Sequence, residues 1–160
     1  MSYSNLGGHC YCGAVKFEAS GKPIWVGHCH CESCRRASGS VMTSSATYRL
    51  DKVVFTGTMP TRFPTNDGVV RSFCGQCGSP VAYESTEQEN QIDLHLGLFD
   101  DLEQIKPQNH TFDAEKASWL QADEHLPRIR GRPNKLRPIG SLCAVLKSMV
   151  LVYKSQLSTF

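Results

Sequence analysis

Seven of the eight cysteines lie in three short groups, and each group has a spacing typical of metal ligands. The groups are Cys10-Tyr11-Cys12, Cys29-His30-Cys31-Glu32-Ser33-Cys34 and Cys74-Gly75-Gln76-Cys77. Thiolates only a few residues apart can bind one small, soft cation together, and Zn²⁺ in a tetrahedron of sulfurs is the commonest result. Seven sulfurs divide into a closed set of four and an open set of three. An open zinc is a place where chemistry can happen.

Disulfide bonds are the alternative explanation for an even total of eight cysteines. Residues 1–8 lack the charged start and the apolar run of a secretory signal, so we expect a cytoplasmic protein whose thiols stay reduced. A bridge between such close cysteines would also close a ring too small to stabilise the fold much. Metal binding is therefore the favoured interpretation. The eighth cysteine, Cys143, lies in an apolar stretch and is expected to be a small buried side chain.

The residues after the cysteines suggest how the seven sulfurs divide. Glycine follows the first and the third group, as Gly13 and Gly78, and each of these groups leads into a predicted strand. A glycine there lets backbone N–H groups point back at sulfur, which offsets the negative charge of a Zn(Cys)₄ unit. We therefore predict a structural zinc on Cys10, Cys12, Cys74 and Cys77. A second zinc with a free coordination position is predicted on Cys29, Cys31 and Cys34.

Charged and imidazole side chains flank the middle cysteine group. Arg35 and Arg36 follow it directly and could balance the charge of the site or hold an anionic substrate, although two consecutive arginines are also typical of a solvated turn. His28 and His30 could each donate a fourth nitrogen. For His30, the alternation of side chains along a strand favours an orientation away from the metal.

Short β-strands must position these ligands. Residues 14–19 alternate apolar and polar positions and stop at the turn residues 20–23. No segment before residue 138 has a long helical period, but residues 32–37 can form one turn that brings Cys34 toward Cys31. A core made of strands this short is thin, so metal cross-links would contribute to folding. The pattern predicts an antiparallel all-β body with further strands over residues 24–28, 41–48, 53–56, 69–73, 81–83 and 92–98.

Charge divides the 160-residue chain into two parts. Residues 1–127 carry 10 basic and 15 acidic side chains, whereas residues 128–160 carry seven basic and no acidic ones. We expect one zinc-binding β domain over residues 1–127, and its acidic balance argues against nucleic acid as a partner. A basic linker is expected over residues 128–138, followed by an apolar, helical tail over residues 139–160. Its apolar run, residues 139–153, is too short to span a bilayer comfortably, and docking or homodimer formation would cover its apolar surface.

The order of the three cysteine groups, with the residues around them, is a specific pattern. It comprises Gly7-Gly8-His9-Cys10-Tyr11-Cys12-Gly13, then His28-Cys29-His30-Cys31-Glu32-Ser33-Cys34-Arg35-Arg36 with Gly39, then Phe73-Cys74-Gly75-Gln76-Cys77-Gly78, Leu96-Gly97-Leu98-Phe99, His110-Thr111-Phe112 and Ser118-Trp119. Over about residues 5–127 the chain resembles the glutathione-dependent formaldehyde-activating enzyme family, which includes centromere protein V. The resemblance implies a β-tent fold with zinc-clamped sheets and the same division of the cysteines between two zinc ions.

The resemblance also implies a carbon–sulfur lyase that adds the thiol of glutathione to formaldehyde and yields S-hydroxymethylglutathione. The expected partners are therefore a small thiol and a small aldehyde. A thiol that enters the open position of the second zinc would be deprotonated by the metal. Arg35 and Arg36 would then be close enough to hold a carboxylate of glutathione.

Two other classes of function fit parts of the sequence. A zinc-stabilised, non-catalytic module could grip phosphates with the basic residues 128–137, and its binding would then depend on salt. A thiol-based redox enzyme, as in one class of methionine sulfoxide reductases, needs an exposed, low-pKa cysteine outside the zinc groups. The predicted β body has no such cysteine, so the lyase remains the favoured interpretation.

Overall fold

The computed structural model describes residues 5–65 and 68–120, which belong to one compact unit. The predicted linker over residues 128–138, the predicted tail over residues 139–160 and Cys143 lie outside these described residues. No helix in the described part of the chain is long and apolar enough to cross a membrane. The described strands are β1 (Leu6–His9), β2 (Val15–Ala19), β3 (Trp25–Cys29), β4 (Thr43–Arg49), β5 (Val53–Gly57), β6 (Thr61–Pro64), β7 (Val69–Phe73), β8 (Pro80–Ser85), β9 (Gln91–His95) and β10 (His110–Thr111).

A single α-helix, α1 (Glu32–Ser38), interrupts the strands of this described region, and 3-10 turns cover Leu50–Lys52, Leu96–Leu98, Leu102–Gln104 and Asp113–Glu115. The prediction of a mostly β protein is therefore confirmed. Each predicted strand forms, with one correction: the strand predicted over residues 92–98 ends at His95. There the chain turns, since the Phe99 N–H donates to the Leu96 carbonyl oxygen at 3.1 Å. Strands β1, β6 and β10 were not predicted, because they are short and either glycine-rich or exposed.

The described strands form two sheets. One has the order β1-β2-β5, and the other has the order β10-β3-β4-β9-β8-β7-β6. Strand pairing is antiparallel as predicted, except that β10 pairs with β3 in parallel. A parallel pair needs a long connection instead of a hairpin, and β10 reaches β3 only after the chain has passed through the rest of the sheet.

Side-chain alternation in the central strands separates a core face from a second face of the larger sheet. In β4, Ala46 and Tyr48 are buried in the core, and in β9 Ile92 and Leu94 are buried beside them. Phe17 of the smaller sheet belongs to the same core. Because successive side chains of a strand point to opposite faces, the odd-numbered residues of β4 and β9 lie on the face away from this core.

Candidate active site and metal centres

The first and third cysteine groups lie on loops of different sheets. The loop between β1 and β2, in the smaller sheet, carries Cys10 and Cys12, and the loop between β7 and β8, in the larger sheet, carries Cys74 and Cys77. The four sulfurs lie within 4.8 Å of one another, and Cys12 Sγ is 3.5 Å from Cys10 Sγ and 3.8 Å from Cys74 Sγ. This group, hereafter the tetrad, has the donor set and spacing that suit one tetrahedral Zn²⁺.

The two tetrad loops share one backbone design. Gly13 and Gly78 have φ angles of 76° and 75°, a left-handed conformation that favours glycine. Each closes a tight turn: the Gly13 N–H donates to the Cys10 carbonyl oxygen at 2.9 Å, and the Gly78 N–H donates to the Cys74 carbonyl oxygen at 2.8 Å. The glycines that the sequence places after the cysteines are therefore needed for the turns that bring the sulfurs together.

Hydrogen bonds support the tetrad sulfurs and join its two loops. The Val15 N–H donates to Cys10 Sγ at 3.3 Å. The Ser79 hydroxyl lies 3.2 Å from Cys77 Sγ and also accepts the Tyr11 N–H at 3.1 Å, which links the third cysteine group to the first. Such donors stabilise thiolates and orient them toward a cation.

The proton affinities of the tetrad thiols also indicate a need for a cation. Hydrogen bonds from the Ser79 side chain and backbone lower the pKa of Cys77 to about 5. A backbone hydrogen bond from Ala14 lowers the pKa of Cys12, but its close contact with Cys10 and burial act the other way and raise it to about 12. Without a cation, the negative charge of one tetrad thiolate therefore opposes the ionisation of a neighbouring thiol. A divalent metal would compensate the charge of all four thiolates, so the residues fit the predicted zinc.

The middle cysteine group, hereafter the trio, comes from one short stretch of chain. Cys29 ends β3, Cys31 is the N-cap of α1 and Cys34 lies in its first turn. The three sulfurs lie within 4.8 Å of one another, and the Cys34 N–H donates to Cys31 Sγ at 3.3 Å. All three side chains are half-buried, and burial raises the pKa of Cys31. The predicted helical turn thus brings Cys34 and Cys31 together, as three sulfurs around one cation would require.

A cavity of about 700 Å³ opens beside the trio, on the face of the larger sheet that points away from the core. Its size is typical of sites that enclose small molecules. The strand residues that line it come from six neighbouring strands: Trp25, Cys29, Thr43, Ser45, Thr47, Val69, Arg71, Tyr83, Gln91, Asp93, His95 and Thr111.

Strand register places polar side chains of the cavity in a row across the sheet. Trp25 pairs with Thr47, Thr47 with Asp93, Asp93 with Tyr83, and Tyr83 with Arg71. Paired residues of adjacent strands lie side by side on one face. The row therefore runs from β3 to β7 along the floor of the cavity.

Arg71 connects this floor with the trio. Its Nη2 atom donates to the Ser33 hydroxyl at 2.9 Å and lies 4.0 Å from Cys34 Sγ. The guanidinium also stacks over the Tyr83 ring, 5.1 Å from the ring centroid. A positive charge at this position favours anions beside the sulfurs.

Asp93 and His95 of β9 are two further ionisable residues of the cavity, which Glu32 and Glu115 also line from exposed positions. Burial raises the pKa of Asp93, although the Thr47 hydroxyl donates to its carboxylate at 2.5 Å. Burial, and then the charge of Arg71, lower the pKa of His95. The imidazole is therefore neutral near pH 7, with one ring nitrogen able to donate a hydrogen bond and the other able to accept one.

Arg35 and Arg36 follow the trio in sequence but do not line the cavity. Arg35 Nε donates to the His30 carbonyl oxygen at 3.0 Å, and Arg36 Nε forms an ion pair with Glu32 at 2.7 Å. Successive residues of an α-helix point in directions about 100° apart, so the helix that presents Cys34 to the cavity turns the next two side chains elsewhere. Arg71 is the arginine beside the cavity.

The histidines near the trio form a separate cluster. His30 is buried, and its Nε2 atom lies 2.8 Å from Nδ1 of His110. His28 Nδ1 lies 2.7 Å from the Ser44 hydroxyl, and the His28 ring lies against the His110 ring with centroids 4.9 Å apart. The trio therefore groups without a histidine in the described residues, which agrees with the expectation that His30 points away from it.

Arg71, Asp93 and His95 are among the cavity residues that the sequence analysis missed. The available signal for Asp93 and His95 was the alternation of Gln91-Ile92-Asp93-Leu94-His95, which places polar residues on one face of a strand. Alternation alone is equally consistent with a solvated face. Only the pairing of β9 with its neighbours shows that this face lines a cavity.

Fold, cysteine geometry and sequence together place the chain in one class of cysteine-rich β proteins whose cysteine groups could hold metal ions. The chain belongs to the glutathione-dependent formaldehyde-activating enzyme family, whose pattern matches residues 5–115. The resemblance seen in the sequence is thus confirmed over most of its predicted extent of residues 5–127.

One curated relative and one solved structure add to this result. An uncharacterized lyase of Schizosaccharomyces pombe is 28% identical to the chain in an alignment of 133 residues that covers 76% of this chain and 95% of the relative. A Rhodobacter sphaeroides protein of known crystal structure has the same fold, with a TM-score of 0.50 and 21% identity over 59% of this chain and 87% of that protein. Family and relative together support a lyase of the formaldehyde-activating type.

Proposed function

We propose that the protein is a zinc-dependent carbon–sulfur lyase that adds the thiol of glutathione to formaldehyde or to a related small aldehyde. In this proposal Cys10, Cys12, Cys74 and Cys77 hold a structural zinc, and Cys29, Cys31 and Cys34 hold a second zinc. The observation that carries the proposal is that the trio lines a cavity and the tetrad does not. The tetrad has two buried cysteines, one half-buried and one exposed, and none of them lines that cavity, whereas the three half-buried cysteines of the trio face a space large enough for a thiol peptide.

The donor set of the trio suits a zinc ion that keeps one position for a substrate. When bound there, the zinc would supply Lewis acidity that lowers the pKa of an incoming thiol. The raised pKa of Cys31 supports a cation at the trio, because a cation would favour the thiolate form that burial opposes. Among the described residues the three sulfurs form a group by themselves, so a fourth coordination position would be left for the substrate.

The chain's own residues would bind and orient the reactants. In the reaction the thiol loses a proton, a bond forms between its sulfur and the carbonyl carbon, and the carbonyl oxygen gains a proton. Arg71 offsets negative charge beside Cys34. His95, neutral near pH 7, can accept the thiol proton on its unprotonated ring nitrogen and return it to the carbonyl oxygen. The surrounding walls hold thiol and aldehyde at a small separation, which favours their addition.

Thiols add to formaldehyde without a catalyst, so the test must measure a rate. Exchange NMR at equilibrium gives the rate at which glutathione and S-hydroxymethylglutathione interconvert, with and without the zinc-loaded protein. We expect exchange to be faster with the protein, and we expect Cys31→Ser to remove that acceleration. Glu87→Gln, which changes an exposed side chain, is the matched control and should retain the wild-type rate. Equal exchange rates with and without the wild-type protein would contradict the proposal.

A further inference from the structure

A cation and an anion lie on the floor of the cavity beside the trio and do not neutralise each other. Glu32 and Glu115 also line the cavity from exposed positions, where Glu32 pairs with Arg36 and the Glu115 carboxylate accepts the Glu32 N–H. Arg71 is the single lysine or arginine among the described residues that line the cavity. Asp93 lies on the same floor, two strands away. Neither side chain takes part in an ion pair in the described part of the chain. Opposite charges kept apart in one cavity suit a ligand that carries both signs of charge.

The guanidinium of Arg71 is held in place and still has free donors. Stacking on Tyr83 and the hydrogen bond to Ser33 fix its position beside Cys34. Within the described residues, its Nε and Nη1 atoms have no hydrogen-bond partner, because Nη2 makes both contacts. An arginine whose position is fixed and whose donors are free can bind a carboxylate with two hydrogen bonds.

Asp93 is a half-buried acidic side chain without a cationic partner among the described residues. Thr47 is its hydrogen-bond partner among the described residues, and the carboxylate lies mostly out of solvent. An ionised carboxylate in such a place is costly unless a cation reaches it. The ammonium group of a ligand would supply that cation.

The spacing of these groups matches the order of charges in a thiol peptide. Cys29 pairs with Thr43, and Asp93 pairs with Thr47, so Asp93 lies four residues, or about 13 Å, along β4 from the level of the trio. Arg71 reaches back to the trio itself. In glutathione the glycine carboxylate is separated from the sulfur by fewer bonds than the ammonium group of the γ-glutamyl residue. With the sulfur at the trio, the carboxylate is therefore the group nearer to it.

We infer that Arg71 and Asp93 select the thiol by its charges, with Arg71 binding the glycine carboxylate of a γ-glutamyl thiol peptide and Asp93 binding its ammonium group. This inference rests on the proposed function, since it takes the trio as the place of the substrate sulfur. It assigns to Arg71 the role that the sequence suggested for Arg35 and Arg36, and it adds a second contact at Asp93.

Isothermal titration calorimetry without aldehyde tests the inference independently of catalysis. Three ligands are titrated into the zinc-loaded protein: glutathione, glutathione esterified at its glycine carboxylate, and glutathione acetylated at its amino group. For the wild type we expect each modification to weaken binding about tenfold or more, as for the loss of one charged contact. Arg71→Gln should bind glutathione and its ester equally. Asp93→Asn should bind glutathione and its acetylated form equally.

The pattern of losses separates recognition from a merely structural effect. Arg35→Gln is the matched control and should keep the wild-type preferences, because Arg35 lies outside the cavity. Should Arg71→Gln fail to fold, Arg71→Lys keeps the charge and should retain a reduced preference for glutathione over its ester. Equal binding of all three ligands to the wild type would overturn the inference, as would a variant that loses affinity for each ligand alike. Charge-selective binding without accelerated exchange would instead reject the lyase and leave the recognition in place.

Discussion

The tetrad and the trio use the same ligand chemistry in opposite structural settings. The tetrad joins a loop of one sheet to a loop of the other, and these loops are more than 60 residues apart in sequence. Two of its cysteines are fully buried, Cys12 is exposed, and none of the four lines the cavity. The trio comes from the end of β3 and the start of α1, and all of its sulfurs are half-buried at the wall of a cavity. A metal in the tetrad would therefore close a long loop and hold the sheets together, whereas a metal in the trio would constrain only a local turn.

Because of this difference, we expect the tetrad to contribute to stability and the trio to contribute to activity. Long-range metal cross-links contribute most to folding, and a site that must admit a substrate cannot be closed on every side. Changes in the tetrad should therefore affect the fold, and changes around the trio should affect binding and turnover.

The largest effect is expected from Cys74→Ser. Structural zinc contributes about 10–16 kcal/mol in small zinc-binding peptides, which is as much as the roughly 5–15 kcal/mol that keeps a domain folded. Losing one of the four ligands should therefore unfold the chain, seen as loss of the β-sheet signal in circular dichroism. A folded Cys74→Ser variant that has lost a metal would contradict the structural role of the tetrad.

Cys31→Ser should leave the fold intact and remove activity, unlike Cys74→Ser. We expect zinc content, measured by mass spectrometry of protein purified without added zinc, to fall from about two to about one per chain, with the fold retained. The acceleration of thiol exchange should be lost. If this variant unfolds as Cys74→Ser does, the two sites cannot be divided into a structural and an open one.

Ser79→Ala and Ser33→Ala compare hydroxyl groups that support the two sites. Removing the Ser79 hydroxyl deletes its contacts with Cys77 and with the Tyr11 N–H, so we expect the free energy of unfolding to fall by about 1 kcal/mol. Ser33→Ala removes a contact of the exposed Ser33 with Arg71 and should leave stability unchanged while weakening glutathione binding a few-fold. Denaturant unfolding and calorimetry measure the two effects. A reversed pattern would contradict the separation of roles.

The smallest effect is expected from Asp93→Asn on stability. Because burial raises the pKa of Asp93, its ionisation is less favourable in the folded chain than in the unfolded one, and the folded state loses stability as the pH rises through this pKa. The variant should therefore be slightly more stable than the wild type at neutral pH, and the difference should shrink in acid. Asp51→Asn, at an exposed ion pair, is the control. A variant that is less stable at neutral pH would show that Asp93 supports the fold.

Local signals in the sequence were sufficient to predict the cysteine groups and most of the strands. The spacing of cysteines, the glycines that follow them and the short alternating segments act within a few residues of one another, so they can be recognised along the chain. The same signals predicted the helical turn between Cys31 and Cys34. They did not predict β10, because a two-residue strand depends on its partner and not on its own composition.

Local signals did not predict which arginine lies beside the trio. Arg35 and Arg36 are adjacent to Cys34 in sequence, yet the turn of α1 directs them away from the cavity, and Arg71 reaches it from another strand. Asp93 enters the same cavity because of strand register. Cysteine spacing was enough to divide the seven cysteines into the two groups that the structure brings together, since each group forms from a few short segments. The floor of the cavity was decided by how five strands pair, because pairing brings together residues that no local pattern connects.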